Sequence, residues 1–271
     1  MPELPEVETS RRGIAPHILG KTFKTVEVRE SRLRWPVPVD LPAVLAGQRL
    51  NAVERRGKYL LLGAETGTLI LHLGMSGNLR ITNPQQIPGK HDHLDFVFAD
   101  DTVLRFNDQR KFGAALWTSA DPLQHPLLAK LGPEPLSADF DAEYLQRRAG
   151  QRTACIKSLI MDSHIVVGVG NIYASESLFL AGVLPTRAAG SLQRAEFERL
   201  AAAIKTVLGQ AIEQGGTTLR DFTNAEGKPG YFKQALAVYD RDGAPCRTCA
   251  EPIQHSKISQ RASYYCSRCQ S

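Results

Sequence analysis

The chain has 271 residues, a formal net charge of +5, a pI of about 9.0 and 42% hydrophobic residues. That is enough chain for two ordinary domains with real cores, and it excludes a disordered basic tail. No run approaches the roughly 20 apolar residues of a membrane helix, and the start lacks the charged-then-apolar plan of a secretory signal; a cytosolic protein with a cationic surface suited to a polyanionic partner is expected.

The chain opens Met1-Pro2-Glu3-Leu4-Pro5-Glu6-Val7. Initiator methionine is usually trimmed ahead of a small residue such as Pro2, which would leave a terminal secondary amine. A reference pKa of about 7.7–8.0 leaves a good fraction of such an amine unprotonated near neutrality. When it attacks a sugar aldehyde carbon it gives an iminium that is cationic from the start, so the electron sink is built in. Leu4, Val7, Ile14 and Ile18 form one seam, and Glu3, Glu6, Ser10 and Gly13 another. This predicts an amphipathic helix that buries the first seam and keeps both carboxylates beside the amine. The partial positive charge at the helix start would lower the pKa of the amine further. Proline and acids are also common in any first helical turn, so these residues alone leave an ordinary helix start open.

Residues 22–29, 50–53, 59–62, 68–73, 79–82, 94–98 and 102–106 read as short strands separated by turn signals, which predicts a β-sandwich or barrel-like layer. Arg55-Arg56-Gly57-Lys58 places three cations ahead of the strand at 59–62, and Lys58 read alone is a solvated strand-edge lysine. His72-Leu73-Gly74-Met75-Ser76-Gly77 is a strand running into a glycine-flanked loop that would present Met75 to solvent. Asn107-Asp108-Gln109-Arg110-Lys111-Phe112-Gly113 offers a planar cation and an aromatic wedge from a second loop. Such parts suit the filling of a hole in a base stack, because apolar wedges between base steps offset the cost of extruding a base. His91-Asp92-His93 offers two imidazoles and one acid with no further ligand nearby in sequence, and metal is not expected there.

Leu131-Gly132-Pro133-Glu134-Pro135-Leu136-Ser137 is the strongest composition break, after which the pattern turns helical. Ser137 or Asp139 is expected to cap a helix through Arg147 or Arg148, and residues 176–181 and 195–214 continue the helical period. Gly168-Val169-Gly170-Asn171 breaks an apolar segment before a new helix, where exposed amides can bind phosphate; a lone Gly-x-Gly is more often just a tight turn. Residues 215–239 read as a long lid or binding loop. Cys246-x-x-Cys249, sixteen residues, then Cys266-x-x-Cys269 is a tetrathiolate zinc pattern with no ligand position left for water, so a structural zinc is expected. Between the knuckles residues 253–265 can form a β-hairpin whose tip would carry Lys257 and Arg261. Arg247, Lys257, Arg261 and Arg268 against Glu251 give this ribbon a net charge of +3. Cys155 is left over.

The opening MPELPEVETSRRG resembles, almost letter for letter, the start of the bacterial formamidopyrimidine-DNA glycosylases, and the resemblance runs on to the C-terminal ribbon. It implies an α+β protein: an N-terminal catalytic β-sandwich with flanking helices over 1–132, a hinge at 133–137, a helical DNA-binding domain with a helix-two-turns-helix motif over 138–240, and a zinc ribbon over 241–271. It implies a DNA glycosylase and AP lyase that excises oxidised purines from double-stranded DNA as a monomer in the bacterial cytoplasm, associated with the nucleoid. Residue by residue, Pro2 would be the nucleophile, Glu3 the proton donor and acceptor, and Glu6 a pocket residue. Lys58 would touch phosphate and help elimination, and Arg261 would serve the phosphates at the lesion and the second elimination. Met75, Arg110 and Phe112 would fill the void, with Arg110 facing the orphaned base. His91, Arg152 and Asn171 would contact DNA, with Lys157 a further cationic candidate. Thr217, Thr218, Lys228 and Tyr231 would be candidates for reading the extruded base. The rivals are an endonuclease VIII-like enzyme for oxidised pyrimidines and a non-catalytic zinc-ribbon nucleic-acid binder; the second gives no task to the opening stretch.

Overall fold

The computed structural model describes residues 2–215 and 236–271. The chain divides into two compact units between Lys130 and Leu131, the second continuing through the C-terminal ribbon.

The first unit begins with helix α1, Leu4–Ile18, whose predicted seam of Leu4, Val7, Ile14 and Ile18 is fully buried. Eight strands follow: β1 Phe23–Val28, β2 Ala52–Arg56, β3 Tyr59–Gly63, β4 Thr68–His72, β5 Asn78–Thr82, β6 Asp92–Phe98, β7 Val103–Asn107 and β8 Ala114–Thr118, with a short helix α2, Leu41–Leu45, after β1. They form two antiparallel four-stranded sheets in the orders β1-β6-β7-β5 and β2-β3-β4-β8. Alternate residues of both sheets enter one core: Leu60, Leu62, Leu69 and Leu71 meet Phe96, Phe98, Leu104 and Phe106, and α1 adds Val7, Ile14 and Ile18. This is the expected sandwich, closed by an edge strand, β8, that the sequence pattern did not suggest. The second strand starts later than the pattern placed it, so Arg55 and Arg56 end β2 and only Gly57-Lys58 forms the turn to β3.

The outer face of the first sheet holds the largest departure from a solvated strand. Arg105 is 1% exposed and meets its cross-strand partner Asp95 in a two-pronged ion pair, 2.7 Å at each nitrogen, while Nη1 donates to the Gln86 carbonyl at 2.9 Å. Each nitrogen of the guanidinium has an acceptor, which is the condition for burying it.

The second unit contains α3 Ala142–Ala149, α4 Ile156–Ile160, α5 Asn171–Ala181 and α6 Arg194–Glu213, followed by a ribbon of β9 Gln254–Ile258 and β10 Arg261–Tyr265. The cap of α3 is Asp141, which accepts the Tyr144 N–H at 2.7 Å, and not Ser137 or Asp139. The ribbon has a small core of Val238, Cys246, Ile253 and Cys266. No described helix is long and apolar enough to cross a membrane.

Within the first unit Glu8 joins α1 to the sheet. It is 8% exposed and accepts from Arg11 and Arg12 at 2.8 Å and from Arg55 at 3.2 Å. Burial works to raise this carboxyl, but hydrogen bonds from Arg11 and Arg12 and the charge of Arg55 outweigh it and hold the pKa at about 2. A depressed carboxyl contributes stability above its unfolded pKa and loses it as pH falls toward the folded value. The stability of the first unit is therefore expected to decline between about pH 4.5 and 2. Glu8→Gln should cost roughly 1–3 kcal/mol at neutral pH and flatten that decline, measured by denaturant titration across pH; an unchanged acid limb would show that this carboxylate is not the group responsible.

Candidate functional site

At the head of α1, Pro2, Glu3 and Glu6 are all buried, with Glu3 2% and Glu6 0% exposed. Glu6 turns back to accept the Glu3 N–H at 2.8 Å, and the two form a reciprocal capping box across the first turn. This is the sequence signature of a helix start given an acidic cap in place of serine or threonine. The expected polar seam is therefore present at its head but buried, with the two carboxyl groups tied into the first turn directly after Pro2.

Lys58 sits in the two-residue turn between the paired residues Arg56 and Tyr59, half-buried, after Gly57 with φ 56°. A tight hairpin with positive φ at its first central position favours glycine there. Arg55 donates to the Gly57 carbonyl at 2.9 Å while its Nε binds Glu8, so α1 fixes the turn that carries Lys58. His72, which sequence reasoning passed over, packs with its ring centroid 4.7 Å from that of Tyr59, the planes tilted by 46°, and accepts the Gly74 N–H at 3.0 Å on Nδ1. Burial first, then the charges of Lys58 and Arg34, lower its pKa to about 4, so it is neutral and able to accept that bond. Its signal in sequence was only its place as the last residue of a strand before a glycine.

Met75 is half-buried in the turn between β4 and β5, not offered fully to solvent, whereas Arg110 and Phe112 are exposed in the turn between β7 and β8, Phe112 at 49%. The glycine beside Met75 is required by close approach: at Gly74, φ 61°, an added Cβ would lie 2.4 Å from the Phe112 carbonyl carbon. His91 is half-buried just ahead of β6. Its neighbours are engaged otherwise than in metal binding, His93 with the Asp108 carbonyl at 2.7 Å and Asp92 with Gly89 N–H and Asn107.

In the second unit Arg152 is exposed ahead of α4. Asn171 is the first residue of α5 and donates through Nδ2 to the Ala262 carbonyl at 2.9 Å. Lys157 corrects the sequence reading: it is 1% exposed, and its ammonium donates to Ser263 Oγ at 2.7 Å, Ser175 Oγ at 3.1 Å and the Ala262 carbonyl at 3.2 Å. It fastens the ribbon and is not presented as a surface cation. Arg261 is exposed at the start of β10, directly after the turn Ser259-Gln260, whose φ values of 46° and 65° are both left-handed without a glycine. The hairpin tip is therefore this turn, flanked by Ile258 and Arg261, with Lys257 one position further down opposite Ala262. Thr217, Thr218, Lys228 and Tyr231 lie outside the described residues.

The ligand atoms of Cys246, Cys249, Cys266 and Cys269 all lie within 4.8 Å of one another, and no other such cluster occurs among the described residues. Sulfur separations of 3.9 Å for Cys246–Cys269 and 3.4 Å for Cys249–Cys266 are close to the edge of about 3.8 Å that a tetrahedron with roughly 2.3 Å metal–sulfur bonds requires. The four residues could hold a metal ion.

Comparison with known proteins decides the family. The chain matches the formamidopyrimidine-DNA glycosylase N-terminal domain over residues 1–115 and the formamidopyrimidine-DNA glycosylase H2TH domain over residues 131–223. The chain belongs to the formamidopyrimidine-DNA glycosylase family. The formamidopyrimidine-DNA glycosylase of Methylococcus capsulatus is 60% identical over 270 residues, and that of Teredinibacter turnerae 58% over 271, each covering 100% of both chains. The crystal structure of the MutM (Fpg) protein from Thermus thermophilus superposes with a TM-score of 0.90 at 38% identity, covering 99% of this chain and 98% of that one. A mutant of the Lactococcus lactis Fpg in complex with a Fapy-dG containing DNA gives 0.93 at 34% identity, with 100% of both chains covered. The family is one of DNA glycosylases with AP lyase activity, so this chain is an enzyme of base excision repair and not a non-catalytic ribbon.

Cys249→Ser is expected to release the bound metal, read by elemental analysis of the purified protein, and to raise hydrogen exchange across β9 and β10 while the β1–β8 amides keep their protection. Unchanged exchange in the ribbon would mean that its own packing, and not the metal, holds it.

Proposed function

We propose that the chain excises oxidised purines, 8-oxoguanine and formamidopyrimidines, from double-stranded DNA, with Pro2 as the nucleophile once Met1 is removed. The observation that carries this reading is the head of α1, where Pro2 is buried beside Glu3 and Glu6, themselves buried and joined by the capping box. The amine nitrogen bonds to C1′ of the damaged nucleotide as the bond from C1′ to the base breaks, and opening of the sugar leaves an iminium. Glu3 moves protons at the sugar oxygen during that step, and Glu6 holds the Glu3 backbone. The iminium withdraws electrons from C2′, so loss of its proton breaks the C3′–O bond, and a second elimination breaks the C5′–O bond. Lys58, in its rigid turn, and Arg261, beside the strained hairpin tip, serve the phosphates that leave. Met75, Arg110 and Phe112 fill the void, with Arg110 toward the orphaned base, normally cytosine. His91, Arg152 and the second Nδ2 proton of Asn171 hold the backbone.

Zinc is the metal that suits four thiolates in a closed tetrahedral site, and its part is to fold the ribbon that carries Arg261. The relatives crystallised with Fapy-dG or abasic-site DNA support DNA as the partner. The basic balance of the chain supports it as well. We propose further that the protein acts as a cytoplasmic monomer. Both matching domains carry the formamidopyrimidine description, which favours purine over pyrimidine lesions.

Borohydride trapping on an 8-oxoguanine duplex tests the nucleophile. The reduced adduct should map by peptide mass spectrometry to the peptide that starts at Pro2. Excision from a thymine-glycol duplex should be slower. An adduct on a lysine, or an active protein that retains Met1, would remove Pro2 from this role.

A further inference from the structure

The two turns that carry Met75, Arg110 and Phe112 come from separate parts of the sequence, yet the topology closes them on each other. One runs from β4 to β5 and the other from β7 to β8, each crossing from one sheet to the other. His72 at the end of β4 pairs with Ala114 at the start of β8, and Asn78 at the start of β5 pairs with Asn107 at the end of β7. Both turns therefore start and finish at the same two ladder ends.

Between them lies a carboxylate that the catalytic scheme does not use. Asp108 is 0% exposed. Its Oδ1 accepts from Ser76 Oγ at 2.7 Å and from the Arg110 N–H at 3.2 Å, and its Oδ2 accepts the Gly113 N–H at 2.7 Å. Ser76 Oγ in turn accepts the Arg110 N–H at 3.0 Å. The Asp108 backbone is held as well, its N–H by the His91 carbonyl at 3.0 Å and its carbonyl by His93 Nε2 at 2.7 Å. Lys111, between Arg110 and Phe112, has φ 56° and anchors its ammonium on Glu30. The absence of a side chain at Gly74 lets the Met75 turn rest against the Phe112 backbone.

We infer that Ser76 and Asp108 are positioning residues for base extrusion: their hydrogen bond locks the two turns into one preorganised block, so Met75, Arg110 and Phe112 enter the duplex together. The physical reason is the cost of the step. Unstacking and unpairing a base is unfavourable by a few kcal/mol, and a wedge that must first be ordered adds its own conformational entropy. A buried carboxylate saturated by donors from both turns removes that second cost before DNA arrives. Neither Ser76 nor Asp108 needs to touch the nucleic acid.

This inference rests on the void-filling roles proposed above, and its test separates the two. Wild-type protein and Ser76→Ala are compared in single-turnover excision of 8-oxoguanine opposite cytosine and opposite adenine, and in cleavage of a single-stranded abasic oligonucleotide, which has no void to fill. Ser76→Ala should lower duplex excision on the order of tenfold, the weight of one hydrogen bond to a charged acceptor, and narrow the preference for cytosine, while single-strand cleavage stays at the wild-type rate. Asp108→Asn, which puts an NH2 group among donors, should change the same two readouts in the same direction and further. Duplex excision unchanged in Ser76→Ala, or single-strand cleavage falling in parallel with it, would overturn the lock. Wild-type protein with no duplex excision would overturn the functional reading itself, and the lock with it.

Discussion

The chemistry proposed at the head of α1 depends on where that helix is held, and beside its buried apolar seam the Glu8 carboxylate ties it to the sheet. One turn beyond the capping box, it gathers Arg11 and Arg12 from its own helix and Arg55 from β2. Arg55 passes the restraint on, because its other arm holds the Gly57 carbonyl in the turn that presents Lys58. An apolar contact could bury similar area but would let α1 slide or rotate on the sheet. A carboxylate with donors on three sides fixes both the rotation of the helix and the height of the turn. The loss of solvation at Glu8 is offset by those donors, which is why its pKa falls although burial works the other way.

The same device recurs with the charge reversed in the second unit. Lys157 is an ammonium taken almost wholly out of water, and its acceptors Ser175, Ala262 and Ser263 tie α4 to α5 and to β10. Asn171 binds the same Ala262 carbonyl from α5. Two helices thus grip β10 one and two residues after Arg261, on a ribbon whose own core is only a few side chains. In the proposed scheme the cysteines fold the ribbon, while the lysine and the asparagine hold β10 beside Arg261. A lysine read alone looks like a surface contact, and nothing local marks Lys157 as buried, because its partners lie 18 to 106 residues away.

That distance separates what was legible from what was not. Strands β3 to β7 announced themselves by short β-branched and aliphatic runs between turns, and α1 by its seam, because those signals lie within a few residues of each other. β8, with the sequence AALWT, has no alternation to betray it and is a strand because β4 offers it a free edge. Arg105 and Asp95 on neighbouring strands look like two solvent-facing positions until the register places them opposite one another under the Gln86 carbonyl. Among the candidate site residues, the cysteines were legible from spacing alone, whereas Pro2, Glu3, Lys58 and Arg261 stood out by resemblance to a family. Glu8, His72, Ser76 and Asp108 were not legible, since each works through a partner on another element.

Helix α5 shows how much one element can carry once those partners are in place. Its first residue, Asn171, holds Ala262; Ser175, one turn on, receives the Lys157 ammonium. Glu176 beside it is 6% exposed and accepts the N–H groups of Ala237, Val238 and Tyr239 at 2.7, 2.9 and 2.8 Å. At the other end the Gly182 carbonyl accepts the N–H of Ser271, and the Val183 carbonyl accepts Gln270 Nε2 at 2.8 Å. A helix buried from Ile172 to Leu178 leaves little surface for charge, and its one buried carboxylate, Glu176, is matched by three backbone donors. Burial raises the Glu176 carboxyl, against the pull of its three N–H donors, and a proton there would face backbone donors that have no acceptor to offer it. The requirement that those donors stay matched, together with the buried packing of Val238 near Phe179, fixes the stretch at 237–239 to the helix whose first turn the proposed scheme turns toward phosphate.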